Sequence, residues 1–229
     1  MILSKFRGVV ALVQFSITIL FVIVLMYIFN KQNHFIRKTW AKLQMFLLGV
    51  KIKEIGKIDM SADLILINHQ SLLDIVILES IHSRNIAWVA KKEIGNMPVF
   101  GHILRAPKMI SIDRENKAGL VHLLKEVKNR LELKRPIAIF PEGTRTNGDE
   151  ILKFKAGAKM VAEKFNLKIQ PIILTKTKQI LDSKKLTANP GEIKVIALES
   201  FIADKQSNWY EELENKMRQT LSDELKNAN

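Results

Sequence analysis

His69 and Asp74 stand five residues apart in the stretch INHQSLLDI, residues 67–75, between the apolar runs DLILI and IVIL. A carboxylate in the first turn of a helix can reach back and accept a hydrogen bond from one imidazole nitrogen. That fixes the tautomer and leaves the other nitrogen as a base. Such a base needs a hydroxyl to deprotonate. The chain has no cysteine and no G-x-S-x-G stretch, so the hydroxyl belongs to a substrate, and the chemistry is direct attack rather than a covalent enzyme intermediate. The same residues fit a plain helix start, with Ser71 as N-cap, Asp74 at the third position of a capping box, and Asn68 and His69 as turn residues. Taken alone, the segment allows both readings.

Three other clusters carry charge or turn chemistry. FPEGTRT, residues 140–146, follows the apolar run Ile137–Ile139. Gly143 permits a tight or left-handed backbone. Arg145 offers a fork of donors suited to phosphate, and Glu142 can brace Arg145 or a neighbouring backbone amide. A surface loop with a salt bridge is the plainer alternative. AKKEIGNMPVFGHI, residues 90–103, places Lys91 or Lys92 just past an apolar run, and ISIDR, residues 110–114, ends in Arg114. Lone cations are usually solvated surface. Several cations after successive strands are what a positive pocket for an anionic, hydroxyl-bearing substrate requires.

The elements that must position these residues follow from periodicity. Short β-branched runs at 64–68, 86–90, 109–113, 137–140, 169–174 and 192–198 alternate with helix-like stretches at 71–83, 117–133 and 153–166, and Lys51–Ile55 is a further candidate strand. This order predicts an α/β fold with a mostly parallel sheet flanked by helices. A last amphipathic helix from about Ser207 carries Leu213, Met217, Leu221 and Leu225 as a packing stripe. In such sheets chemistry collects where strands end and helices begin, and the polar clusters sit there.

The N-terminus differs. Val9 to Phe29 is an uncharged run that as a helix would match the hydrocarbon thickness of a bilayer. It ends without small residues of the cleavage type, which predicts a retained membrane anchor rather than a signal peptide. Ile36, Trp40, Leu43 and Leu47 recur at helical spacing among Arg37, Lys38 and Lys42, as in a basic helix lying on the membrane plane or an ordinary domain helix. Basic residues flank the run on both sides, so charge gives no orientation, and a hairpin dipping into one leaflet is as admissible as a span. The reading divides the chain into a membrane-associated helical segment, 1–50, and an α/β domain, 51–229. The formal charge of +13 and pI near 9.8 call for an anionic partner. With 7% aromatic residues there is no evident base-stacking platform, and nucleic acid is not the expected partner.

These four blocks, in this order, resemble the glycerophospholipid acyltransferase family, and within it the bacterial 1-acyl-sn-glycerol-3-phosphate acyltransferases. HQSLLD is similar to the family's H-x4-D block, Lys91–Gly101 followed by Ile112-Asp113-Arg114 to its second, Glu142–Arg145 to its E-G-T-R block and Gln170–Ile173 to its proline-centred fourth. LKFKAGA, residues 152–158, resembles the stretch that commonly follows the third. The resemblance covers about residues 60–175. It implies that His69 is the general base on the 2-hydroxyl of lysophosphatidic acid and that Asp74 holds His69. Arg145, Lys91 and Arg114 would bind the phosphate, in a pocket shaped by Glu142, Gly143 and Thr144. Lys91 is preferred to Lys92 by alignment with that block. The acyl donor would be acyl-acyl carrier protein or acyl-CoA, and the product phosphatidic acid, with no metal and no cofactor. The implied partners are membrane lipids and the acyl carrier, and the implied location is the inner membrane with the catalytic domain on its cytoplasmic face.

Overall fold

The computed structural model describes residues 2–113 and 117–227. Arg114 therefore lies outside the described residues. Among the described residues one eight-stranded sheet forms the centre. Its strands are β1 (Val50–Ile55), β2 (Leu64–Ile67), β3 (Ala87–Lys91), β4 (Ile110–Ile112), β5 (Ile137–Ile139), β6 (Lys168–Leu174), β9 (Gly191–Ala197) and β10 (Phe201–Ile202), with a separate hairpin of β7 (Leu181–Asp182) and β8 (Thr187–Ala188). The spatial order is β1-β9-β6-β2-β5-β3-β4, with β10 paired to β6. All neighbours are parallel except β6 with β9 and β10 with β6. The expected mostly parallel α/β architecture is what forms. β2 is buried along its whole length, which is why its sequence is a continuous apolar run and not an alternating one.

Helices cover both faces. One face carries α6 (Lys117–Glu132), α7 (Ala156–Phe165) and α9 (Trp209–Lys226), with Leu213, Met217 and Leu221 packed on the core as their spacing predicts. The other face carries α3 (Leu73–Ile81) and α2 (Asn33–Leu47), where Ala41 and Met45 share a core with Ile65, Ile67 and Ile77. Short helices α4 (Lys92–Asn96), α5 (His102–Arg105) and α8 (Thr177–Ile180) follow β3, α4 and β6.

Helix α1 (Ile2–Ile28) is the one described helix long and apolar enough to cross a membrane. It lies along the domain. Met26, Ile19 and Val22 are buried, and Phe15 meets Trp40 edge-on. Gly8 touches the backbone at Leu186, where a Cβ would stand 2.1 Å from the carbonyl oxygen. The polar residues inside the apolar run make local contacts and a tie to α2. Thr18 Oγ1 accepts hydrogen bonds from Trp40 Nε1 at 3.0 Å and Gln44 Nε2 at 3.2 Å, and Ser16 Oγ donates to the Leu12 carbonyl at 2.8 Å. The outer stripe, including Phe6, Val10, Val13, Ile17, Phe21 and Val24, is exposed.

Helix α2 divides its predicted stripe: Leu43 and Leu47 are exposed, whereas the other half meets protein. Ile36 and Trp40 pack against α1, and Arg37 turns inward to a buried ion pair with Glu79 of α3. Its other guanidinium nitrogen donates to Asn85 Oδ1 at 2.6 Å, and Lys38 Nζ donates to the His82 carbonyl at 2.9 Å. Two of its three cations thus serve internal contacts. Helical spacing says which residues share a face, but not which face meets protein.

Candidate active site

The catalytic turn leaves the middle of the sheet. β2 is flanked by β5 and β6, both parallel to it, so residues 68–72, 140–146 and 175–177 emerge side by side. Asn68 fastens the turn to β6 in the manner of a ladder pair: its Nδ2 donates to the Leu174 carbonyl at 3.0 Å and its Oδ1 accepts from the Leu174 amide at 2.7 Å. Gln70 Nε2 donates to the same carbonyl at 3.1 Å.

His69 Nδ1 lies 2.7 Å from Asp74 Oδ2. That oxygen also accepts from the backbone amides of Gln70 at 2.6 Å and Ser71 at 2.9 Å, while Asp74 Oδ1 accepts from Thr177 Oγ1 at 2.6 Å. The carboxylate is fully buried and surrounded by donors, which compensates its lost hydration. An oxygen already accepting two amides is an acceptor toward the imidazole too. Nδ1 therefore carries the proton and Nε2 is the basic nitrogen. The capping reading is contained in the same geometry. Asp74 does bond the Ser71 amide, but Ser71 Oγ accepts from Leu73 at 3.3 Å and donates to the Leu181 carbonyl at 2.7 Å, and α3 starts one residue later, at Leu73.

The loop 140–146 clamps the turn from the β5 side. The His69 amide donates to Glu142 Oε1 at 2.7 Å, and the His69 carbonyl accepts the Thr146 amide at 2.9 Å. Glu142 Oε2 accepts the Leu152 amide at 2.8 Å. Gly143 sits at φ +73°, the left-handed region its lack of a Cβ allows. Phe140 stacks on the imidazole with ring centroids 3.7 Å apart, and Trp88 stacks behind Phe140 at 5.4 Å. The ring is thus held in plane by Phe140 and in rotation by Asp74.

Of the two roles the sequence allows Glu142, bracing Arg145 or a backbone amide, the structure shows the second. Both of its oxygens are taken by backbone amides, and it braces neither Arg145 nor an anion. It is a strut between the catalytic turn and residue 152. Burial pushes its carboxyl up to about 7, with the nearby Asp74 charge adding to the rise and the two amides opposing it. A carboxyl whose folded value lies above its unfolded one favours folding in its protonated form. That contribution is complete below the ordinary value of 4.5 and is lost as pH rises through 7. We predict that stability of the wild type falls between about pH 4.5 and 7 relative to Glu142→Gln, read as the difference in urea midpoints. Parallel pH curves for the two proteins would remove this titration from Glu142.

Lys91, Gly143, Thr144 and Arg145 line one cavity together with His69. Among the described residues Arg145 has no carboxylate partner. Burial lowers its pKa below the ordinary guanidinium value, while the Asp74 charge works the other way. Lys92 turns away and pairs with Asp113 at 3.4 Å. The cavity has a volume of about 450 Å³. Its remaining wall is largely apolar: α1 contributes Ile19, Val22 and Met26, α2 Trp40, α3 Ile75 and Val76, and the 94–109 segment Ile94, Ile103 and Met109. A base, the cations Lys91, Arg145 and Lys184, the Arg37–Glu79 ion pair and an apolar chamber bounded in part by the N-terminal helix therefore occupy one space. Sequence reasoning missed Thr177, 103 residues from Asp74, for which no spacing signal exists. It also assigned no role to Phe140, although that residue opens the quoted 140–146 block.

These features belong to an enzyme that moves an acyl group, and the chain belongs to the acyltransferase family, whose family model matches residues 50–175. Over 201 residues it is 48% identical to the 1-acyl-sn-glycerol-3-phosphate acyltransferase of Helicobacter pylori, covering 86% of this chain and 85% of that one. It is 29% identical over 126 residues to the lyso-ornithine lipid O-acyltransferase of Rhizobium meliloti, covering 55% of this chain and 42% of that one. The crystal structure of the 1-acyl-sn-glycerophosphate acyltransferase PlsC from Thermotoga maritima superposes with a TM-score of 0.75 at 20% identity, over 98% of this chain and 95% of that one. That likeness concerns the fold.

Proposed function

We propose that this enzyme transfers a fatty acyl group from a thioester, acyl-acyl carrier protein or acyl-CoA, to the 2-hydroxyl of 1-acyl-sn-glycerol-3-phosphate, forming phosphatidic acid. The observation that carries the reading is the shared cavity of His69, Lys91 and Arg145 with the apolar wall of α1. A phosphate at the cations leaves the acyl chain to the apolar side and the hydroxyl near the base. His69 Nε2 takes the proton as the hydroxyl oxygen attacks the thioester carbonyl. The tetrahedral intermediate collapses with cleavage of the carbon–sulfur bond, and the thiolate leaves with the proton from His69. Asp74 stabilises the imidazolium formed in between. The amides of His69, Gln70 and Ser71 are spent on carboxylates and that of Gly143 on the Phe140 carbonyl, so none of these four is the oxyanion donor. The mechanism uses no metal and no prosthetic group.

The reading places α1 and α2 at the inner membrane with the α/β domain on the cytoplasmic face. Because α1 packs along the domain from Gly8 to Met26, its exposed apolar stripe suits insertion into one leaflet better than a crossing. The net positive charge favours anionic lipid and an acidic carrier alike.

The test is acyl transfer from a labelled thioester to lysophosphatidic acid by detergent-solubilised protein. Arg145→Ala is expected to raise the KM for lysophosphatidic acid by about tenfold or more, the loss of a charge-assisted phosphate contact of roughly 1.5–3 kcal/mol. The KM for the thioester should stay near the wild-type value. A rise in the thioester KM alone would move Arg145 to the donor. The resemblance to the lyso-ornithine lipid enzyme makes lyso-ornithine lipid the control acceptor. Faster turnover of that zwitterion than of lysophosphatidic acid would replace the acceptor proposed here.

A further inference from the structure

The cavity beside α1 is one of two that meet at the catalytic edge. The second, about 560 Å³, lies on the opposite face of the sheet, between Leu120 and Leu123 of α6 and Gly157 and Met160 of α7. Both cavities are lined by Val89, Lys91, Phe140, Gly143 and Thr144, so they adjoin at the exits of β3 and β5. Among the described residues none of α1 or α2 borders the second cavity. Its wall is mainly apolar, with Lys91 and Lys155 on the rim. Its carboxylates are engaged elsewhere, Glu142 by two amides and Asp113 by Lys92.

The proposed reaction brings together two substrates of opposite solubility. The lysolipid arrives from the bilayer, on the α1 side. The thioester arrives from water on a long, slender amide arm that ends in a phosphate, whether the carrier is a protein or a nucleotide. We infer that the second cavity holds this phosphopantetheine arm and delivers the thioester to His69 from the face of the sheet opposite α1. The apolar wall matches the methylene and methyl groups of the arm, and Lys155, which lines this cavity and not the first, matches its phosphate. Two entrances on opposite faces let donor and lysolipid occupy the site together, as direct attack requires. The inference rests on the thioester-dependent reaction proposed above.

Gly157 gives a clean test. It lies in α7 facing the cavity, and a Cβ there would come no nearer than 4.0 Å to Leu123. Alanine there meets only ordinary contact distances, while leucine carries three more carbons into the cavity. In Gly157→Leu the donor KM is expected to rise about tenfold or more, the size of a steric misfit in a binding pocket, with a smaller rise in Gly157→Ala. The KM for lysophosphatidic acid and kcat at saturating donor should not change. Lys155→Glu, on the exposed rim, should raise the donor KM through repulsion of the phosphate. A thermal melt shows that each variant folds. Acyl-CoA and acyl-acyl carrier protein are assayed in parallel, and a rise with one alone keeps the inference and names the carrier. Unchanged donor KM values in folded Gly157→Leu overturn it, and a rise confined to lysophosphatidic acid overturns it by giving the cavity to the acceptor. If the wild type forms no phosphatidic acid from either donor, the reaction itself is misassigned and the inference falls with it.

Discussion

His69→Ala is expected to lower kcat by about a thousandfold or more, near the upper range for a lost general base, in a protein that still folds. The geometry explains why rate and stability separate here. The contacts of residue 69 that hold the turn are backbone contacts, its amide to Glu142 and its carbonyl to Thr146, and alanine keeps both. The side chain contributes its stacking on Phe140, worth about 0.5–1.5 kcal/mol in such pairs, and its hydrogen bond to Asp74 Oδ2, an oxygen that keeps the Gln70 and Ser71 amides without it. The check is single-turnover acyl transfer beside circular dichroism and a thermal melt. Near wild-type turnover by folded His69→Ala would end the mechanism. Complete loss of turnover with intact lipid binding would also set aside a purely lipid-binding role for the wild type, since such a role has no use for the base.

Asp74→Asn should cost about a hundredfold to ten-thousandfold in kcat, the range seen when a positioning carboxylate loses its charge beside a catalytic histidine. Asparagine has almost the same shape, so the turn can persist. It lacks the negative charge that stabilises the imidazolium, and its amide nitrogen must face either Thr177 or the cluster of donors at Oδ2. Asp74→Ala adds a structural penalty, because the Gln70 and Ser71 amides lose their acceptor in a buried site, at roughly 1–3 kcal/mol for each unsatisfied group. The two variants should therefore agree in rate and differ in melting temperature. A fully active Asp74→Asn enzyme would show that the tautomer is set by something other than this carboxylate.

The sequence and the tertiary structure contribute different parts of this site. His69 and Asp74 were legible because a five-residue spacing across a strand exit is a local geometry: few other conformations are open to a turn between a buried strand and a helix. The buried strands were legible for a similar reason, since β2 and β5 are short, continuous apolar runs and β6 ends in one, Ile172 to Leu174. Their order in the sheet was not. It arises from pairings between residues about a hundred positions apart, such as Leu66 with Pro171, and local pattern carries no record of partner. The antiparallel joint of β6 with β9 escaped the sequence for the same reason.

The direction of a polar side chain was the other hidden quantity. Arg37 had the spacing of a surface cation and is instead buried against Glu79. Glu142 had the company of a phosphate site and instead supports the backbone at His69 and Leu152. Thr177 closes the hydrogen bonding of Asp74 from a strand exit that no motif marked. By itself the sequence determined the pairing of His69 with Asp74 at a strand exit, the alternation of strands and helices, and the apolar length of the N-terminal helix, because each depends on near neighbours along the chain. Only the tertiary structure decided which cations share a cavity with His69, which carboxylate is a strut, and that a second cavity adjoins the first from the other face of the sheet. Those outcomes depend on burial, and burial is set by whatever distant segment packs above.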